Sequence, residues 1–141
     1  MEILFRGATD VDTTSGTSVV VTSPHTAPCR RCLTDIEPGE EAVLTRYDPF
    51  RVDSPYRGTS PVFVHARECT PYVGAAVPDQ QRRRLLSVRA YDDAAMMVDS
   101  EVVEGEQLEP LLTRLSGDGR TSFVHVHNAR PGCFAVRVDR G

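Results

Sequence analysis

The stretch TSFVHVHNARPGCFAVRV, residues 121–138, decides how the chain is expected to fold. Apolar and polar residues alternate on both sides of an Asn-Ala-Arg-Pro-Gly turn, which is typical of two antiparallel β-strands joined in a hairpin. Since successive side chains of a strand point to opposite faces, Val124 and Val126 share one face, while His125 and His127 share the other. The second strand is predicted to alternate in the same way, with an apolar face made of Phe134, Val136 and Val138.

Five more short stretches with β-branched or alternating residues lie upstream, bringing the total to about seven strands: 19–21, 41–47, 61–66, 87–91 and 96–103. On the stretch 87–91, Val88 and Ala90 are predicted to oppose Arg89 and Tyr91. A length of 141 residues is usual for one domain. The sequence therefore predicts a single α+β domain over residues 1–141, with a mostly antiparallel sheet.

Two helices are expected between the strands. An amphipathic helix is predicted over residues 106–116, because one apolar stripe repeats at helical spacing in Leu108, Leu111, Leu112 and Leu115. It places Pro110 in the first turn and ends at Gly117, a candidate for the left-handed stop. A short helix is predicted over residues 78–86, with proline at its start.

The charged residues limit the classes of function. All sixteen basic residues are arginine, and the net charge is −4. The absence of lysine excludes Schiff-base and P-loop chemistry. A net negative chain argues against nucleic-acid and anionic-membrane partners. With no secretory signal or membrane span in the sequence, and few cysteines, a cytoplasmic location is expected.

Four metal-ligating residues fall in two short motifs. Cys29 and Cys32 are separated by two residues, and His65 and Cys69 by three. Together they predict a closed Cys3His site for structural zinc, the one cofactor that the sequence suggests. Two alternatives stay open: buried free cysteines that pack as small apolar residues, and a redox-active Cys-x-x-Cys pair.

The polar face of the predicted sheet is the second candidate site. His125 and His127 are candidates for general acid–base catalysis, with Cys133 as a candidate nucleophile across the hairpin. Arginine binds carboxylate and phosphate in bidentate fashion, so this face is predicted to bind a small anionic molecule. The candidate ligand-binding residues are Arg30, Tyr56, Arg57, Arg89, Tyr91, Asn128 and Arg130. The alternative is a solvated face with no ligand.

The chain as a whole resembles a bacterial family catalogued as domain of unknown function 1203. The resemblance rests on PCR at 28–30, CL at 32–33, GE at 39–40, SPYR at 54–57, PVFVH at 61–65, LLSVRAYD at 85–92, VHVHNAR at 124–130 and GC at 132–133. The family name implies no activity. Some relatives have a non-ligand at the position of Cys32, which argues against a catalytic zinc common to the family and leaves a structural zinc site in this protein open.

Two hypotheses follow from the sequence. The first is a domain that binds a small anionic ligand on its Arg/Tyr/His face, with histidine acid–base catalysis as an extension. The second is a zinc-stabilised interaction module without catalysis.

Overall fold

A computed structural model describes residues 3–141. Its strands are β1 (Ile3–Arg6), β2 (Thr17–Val20), β3 (Glu41–Tyr47), β4 (Ser60–His65), β5 (Val73–Gly74), β6 (Leu85–Tyr91), β7 (Met97–Glu104), β8 (Phe123–Asn128) and β9 (Phe134–Arg140). The helices are α1 (Asp79–Arg82) and α2 (Leu108–Gly117), the second preceded by a 3-10 turn over Gly105–Gln107. In this part of the chain no helix is long and apolar enough to cross a membrane.

The strands form two antiparallel sheets. The larger has six strands in the order β5-β1-β9-β8-β6-β7, and the smaller has three in the order β2-β3-β4. The expected α+β class with a mostly antiparallel sheet is confirmed, but the prediction of one sheet of about seven strands is wrong. The two strands that were not predicted, β1 and β5, have four and two residues. They are too short to give a recognisable alternation.

The larger sheet packs its apolar face against α2. Leu108, Leu111, Leu112 and Leu115 are all buried, which confirms the predicted leucine stripe. They contact Val88, Ala90, Val124 and Val126 among others, in a cluster of fifteen buried residues that we call the leucine core. Tertiary burial of this stripe stabilises a helix of only ten residues.

Both helices differ in extent from their predictions. The short helix ends at Arg82 and not at residue 86, because Leu85 already pairs with Glu104 in the sheet. The long helix starts at Leu108, after the 3-10 turn, and includes Gly117. Gly117 does not have a positive φ. The helix ends instead because Asp118 is extended, with its carboxylate accepting the backbone N–H of Arg120.

A β-bulge in the C-terminal hairpin corrects one prediction of strand alternation. Val126 pairs with Val136, but His127 pairs with Phe134, so β9 carries one extra residue at this point. Phe134 therefore leaves the face of Val136 and Val138 and packs its ring on His125 and His127. The histidine face of the sheet is thus lined with aromatic rings.

The smaller sheet encloses a second and smaller cluster, here called the small core. Its seven buried members are Val21, Ala27, Cys29, Ile36, Ala42, Val43 and Val64. Cys32 and Cys69 pack against it, partly buried. The sheet edge β2 is exposed along its whole length, so this sheet has little apolar area available to hold it together.

Candidate metal centre and adjoining cavities

Cys29 and Cys32 lie on a tight turn that the backbone closes on itself. Pro28 and Asp35 form an isolated β-bridge, and the N–H of Leu33 donates to the carbonyl of Cys29 at 3.0 Å. Leu33 has a left-handed φ of 61°, a conformation that is costly for a residue other than glycine. The turn leaves the Cys29 sulfur facing β4, where it accepts the N–H of His65 at 3.4 Å.

The second half of the cluster comes from the end of β4 and the loop after it. His65 is 1% exposed, and its Nδ1 lies 3.5 Å from the Cys32 sulfur. The Cys69 sulfur lies 3.7 Å from the Cys29 sulfur. The four ligand atoms all lie within 4.8 Å of one another, so these residues could hold a metal ion. The structure therefore brings the predicted Cys3His set together, and we call it the cysteine cluster.

Two charged residues that were not among the predicted site residues lie beside His65. Arg67 Nη2 lies 3.2 Å from Nε2 of His65, and Glu40 Oε1 lies 3.8 Å from the same nitrogen. Arg67 and Glu40 also pair with each other at 3.0 Å. Arg31 points at the other side of the cluster, with Nη1 3.6 Å from the Cys69 sulfur. Arg67 lies in the bend after β4, so strand alternation gave no signal that it would contact His65.

Hydrogen bonding between the first two thiols lowers the pKa of Cys32 and raises the pKa of Cys29. The lowered pKa of Cys32 favours its thiolate, the form in which cysteine binds a metal ion.

A cavity of about 250 Å³ lies on the histidine face of the larger sheet. It brings together five of the predicted site residues: Tyr56, Arg89, Tyr91, His127 and Cys133. Arg89 Nε donates to Ser87 Oγ at 3.3 Å, and within residues 3–141 Arg89 forms no salt bridge with a carboxylate. We call this space the Arg89 cavity.

His127 is the histidine that this cavity reaches. Its Nδ1–H donates to the carbonyl of Gly132 at 3.0 Å, which fixes the tautomer and leaves Nε2 available. Burial lowers the pKa of His127 to about 4, so the ring is neutral at pH 7.

His125 lies behind the cavity, in an aromatic cluster. It is fully buried against the rings of Phe50, Tyr91, Phe123 and Phe134 at centroid distances of 4.7–5.3 Å. Among residues 3–141, neither ring nitrogen has a hydrogen-bond partner. Burial, with a smaller effect from Arg137, lowers the pKa of His125 to about 3. Phe50 was not predicted as part of this cluster, because it lies in a polar loop, where a lone aromatic residue gives no periodic signal.

The remaining predicted ligand-binding residues lie elsewhere. Arg57 is exposed and paired with Asp48 at 2.7 Å. Asn128 and Arg130 line a different cavity, of about 420 Å³, on the other side of the hairpin turn, and Cys133 lines both cavities. Arg30 is buried, and its Nη1 donates to Gln80 Oε1 at 2.9 Å.

These features define a two-sheet α+β protein in which the smaller sheet carries a cysteine cluster able to hold a metal ion. Residues 26–140 match a family model described as a protein of unknown function, DUF1203, and the chain belongs to that family. Comparison with curated proteins and with solved structures gives no significant match.

Proposed function

We propose that the cysteine cluster binds one structural zinc ion and that the protein is a zinc-stabilised binding module. The observation that carries the proposal is the set of distances between the ligand atoms. With zinc–sulfur bonds of about 2.3 Å and zinc–nitrogen bonds of about 2.0 Å, a tetrahedral site has sulfur–sulfur edges of about 3.8 Å and sulfur–nitrogen edges of about 3.5 Å. Two of the six edges match, with Cys29–Cys69 at 3.7 Å and Cys32–His65 at 3.5 Å, and all four ligand atoms lie within 4.8 Å of one another.

The charges around the cluster support a zinc ion with three thiolates. Such a centre has a formal charge of −1, and Arg31 and Arg67 lie next to it. If Nδ1 of His65 binds the metal, Nε2 carries a proton and donates a hydrogen bond, which Arg67 cannot accept. Glu40 can accept it, because its Oε1 lies 3.8 Å from Nε2 and already neighbours the ring. Zinc binding is thus expected to bring Glu40 onto His65 and to move Arg67 aside.

All four positions that a structural zinc ion needs are protein ligands, which leaves no open coordination site for a substrate. The proposed role of the metal is therefore stability of the smaller sheet and not catalysis. The small core has seven buried members, and the leucine core has fifteen. The metal would therefore supply stability that apolar burial does not give the smaller sheet.

Metal analysis tests the proposal directly. Protein purified without added metal should contain about one zinc per chain, and exchange with Co²⁺ should give the visible absorption of a tetrahedral thiolate site. Cys69→Ser should lose the metal. Cys133→Ser is the matched control, because this cysteine lies outside the cluster, and it should keep the full zinc content. A wild-type chain free of zinc with four titratable thiols would refute the proposal.

A second candidate function is the binding of a small anion in the Arg89 cavity. It is favoured by the Arg89 guanidinium, which has no carboxylate partner among the described residues and lines the same space as Tyr56 and His127. The side chain placed to exchange a proton with a ligand there is His127, through Nε2. His125 would act through packing, since four aromatic rings enclose it.

Titration calorimetry with inorganic phosphate and with malonate tests this second candidate. Arg89→Gln should weaken binding by at least tenfold, because a charge-assisted hydrogen bond is lost. Arg114→Gln, on the exposed face of α2, is the control and should bind both anions like the wild type. Equal affinities for wild type and Arg89→Gln would remove the cavity as an anion site.

A further inference from the structure

Cys133 lies on the wall that two cavities share. One is the Arg89 cavity, and the other has a volume of about 420 Å³ and lies on the other side of the hairpin turn. The residue is partly exposed, is not in a disulfide and lies outside the cysteine cluster, so its thiol is free to react. A small molecule in either cavity would therefore contact this residue.

Two hydrogen bonds from the end of β8 hold Cys133 in position. Asn128 Nδ2 donates to the sulfur at 3.3 Å, and the backbone N–H of Asn128 donates to the carbonyl of Cys133 at 2.9 Å. The thiol thus has a fixed place at the base of the hairpin turn, although the turn itself is exposed.

The charges around both cavities are positive, while the chain as a whole has a net charge of −4. Arg89 lines one cavity, Arg83, Arg84 and Arg130 line the other, and no carboxylate among the described residues lines either. Arg83 and Arg84 share the single carboxylate of Asp35, at 3.1 and 3.6 Å, while Arg89 and Arg130 pair with none within residues 3–141. Partly exposed thiols in positive surroundings are the ones that typically react in proteins.

A histidine in the Arg89 cavity points independently to a ligand. His127 is only 9% exposed, and its Nδ1–H donates to the carbonyl of Gly132, so Nε2 is an acceptor. Within residues 3–141 no donor reaches this nitrogen, and the side chain lines the same cavity as Arg89 and Cys133. An unpaired acceptor and an unpaired guanidinium around one cavity are typical of a small-molecule site.

We propose that Cys133 reacts covalently with small carboxylates that carry an electrophilic carbon. The arginines attract the carboxylate toward the thiol. The sulfur then forms a bond to the electrophilic carbon, the bond from that carbon to its leaving group breaks, the leaving group departs with the electron pair, and the thiol proton passes to solvent. The inference does not depend on zinc. It extends the second candidate function, but it needs only attraction of the anion and not the tight binding that calorimetry measures.

Iodoacetate and iodoacetamide are matched probes, because the second has an uncharged amide in place of the carboxylate. The full chain is treated with each reagent, and peptide mass spectrometry gives the rate constant of alkylation at Cys133. The chain unfolded in urea is the reference, since it has the same thiol without the surrounding arginines. We expect the ratio of the iodoacetate to the iodoacetamide rate constant to be about tenfold higher in the folded chain. Added salt should lower this ratio toward the reference.

Arginine variants then test the cause of the selectivity. Arg89→Gln and Arg130→Gln should each lower the ratio by about threefold, and the double variant should lower it further. Arg130 is exposed, so Arg130→Gln remains informative if Arg89→Gln does not fold. Arg114→Gln, on the exposed face of α2, is the matched control and should keep the wild-type ratio.

Three results would overturn the proposal: no reaction of folded Cys133 with either reagent, a ratio equal to that of the unfolded chain, or a ratio that both Arg89→Gln and Arg130→Gln leave unchanged. Its failure is distinguishable from that of the second candidate function. If the ratio behaves as expected while phosphate and malonate do not bind, anion binding in the Arg89 cavity is refuted and the reactive thiol is supported.

Discussion

The two sheets of this protein hold together by different means. The leucine core has fifteen buried apolar members, among them the leucine stripe of α2. The small core has seven, several of them only alanine, valine or cysteine, and its edge strand β2 is exposed. At about 25 cal/mol for each Å² of apolar surface buried, the second core gains far less than the first.

The difference indicates what the cysteine cluster contributes. It joins the turn at Cys29, the end of β4 at His65 and the loop at Cys69, three segments that otherwise meet only around the seven residues of the small core in the described part of the chain. A metal ion bound by all three would replace the missing apolar area with coordinate bonds. On this interpretation the larger sheet folds on apolar burial, and the smaller sheet depends on the metal.

The largest expected effect is therefore the local loss of the smaller sheet when zinc is removed. Structural zinc contributes about 10–16 kcal/mol in small zinc-finger peptides, more than any single side chain. After EDTA treatment, amide hydrogen exchange should become fast at Val43 in β3 and at Val64 in β4. The amide of Val126, in the middle of the larger sheet, should remain protected.

Cys69→Ser should produce the same exchange pattern without chelator, and Cys133→Ser should not. A simultaneous loss of protection in both sheets would contradict the division into two independently stabilised regions, though not the binding of zinc itself.

The next largest effect tests the leucine core in the same way. Leu112 is fully buried in the middle of α2, so Leu112→Ala should lower the free energy of unfolding by about 2–5 kcal/mol through lost transfer energy and a residual cavity. Denaturant unfolding of the larger sheet should show this loss equally with and without EDTA. Zinc affinity should be unchanged.

Ile36→Ala is the matched variant in the small core, since Ile36 is equally buried. It should weaken zinc binding, because the cavity it leaves lies under the metal-binding turn. If Leu112→Ala lowered zinc affinity as much as Ile36→Ala does, the two cores would form one cooperative unit.

Long periodic elements were predictable from the sequence, and short or non-local ones were not. The leucine stripe of α2 and the alternation of β6 and β8 lie where expected, because one face of each is buried against the other. The strand β5 has two residues, and β1 pairs with β9 from the far end of the chain. Neither fact leaves a local pattern to recognise.

The candidate sites divide in the same way. The spacing was enough to predict the cysteine cluster, because thiol and imidazole groups are rare and their ligand geometry is strict. Its members are Cys29, Cys32, His65 and Cys69. The distribution of the arginines and histidines over two cavities could not be predicted from spacing. It depends on the bulge that turns Phe134 toward His125, and on Phe50 reaching in from a loop.

The smallest effect concerns His125, which lies in the aromatic cluster between the two sheets. The unfolded chain has an ordinary histidine pKa of about 6.5, and burial lowers the pKa of folded His125 to about 3. Above pH 6.5 the ring is neutral in both states and stability does not depend on it. Between the two values the unfolded chain binds the extra proton, so stability falls as the pH is lowered, by about 1.4 kcal/mol per pH unit.

His125→Phe should remove that dependence, because phenylalanine fills the same aromatic site without a titrating group. At pH 7 the variant should be as stable as the wild type or more stable, since both ring nitrogens lack partners. At pH 5 it should exceed the wild type by about 2 kcal/mol more than at pH 7 in urea unfolding. Zinc loss and the titration of His127 affect both proteins alike and cancel in this difference. An equal loss of stability at both pH values would mean that the imidazole makes hydrogen bonds essential to the region between the sheets.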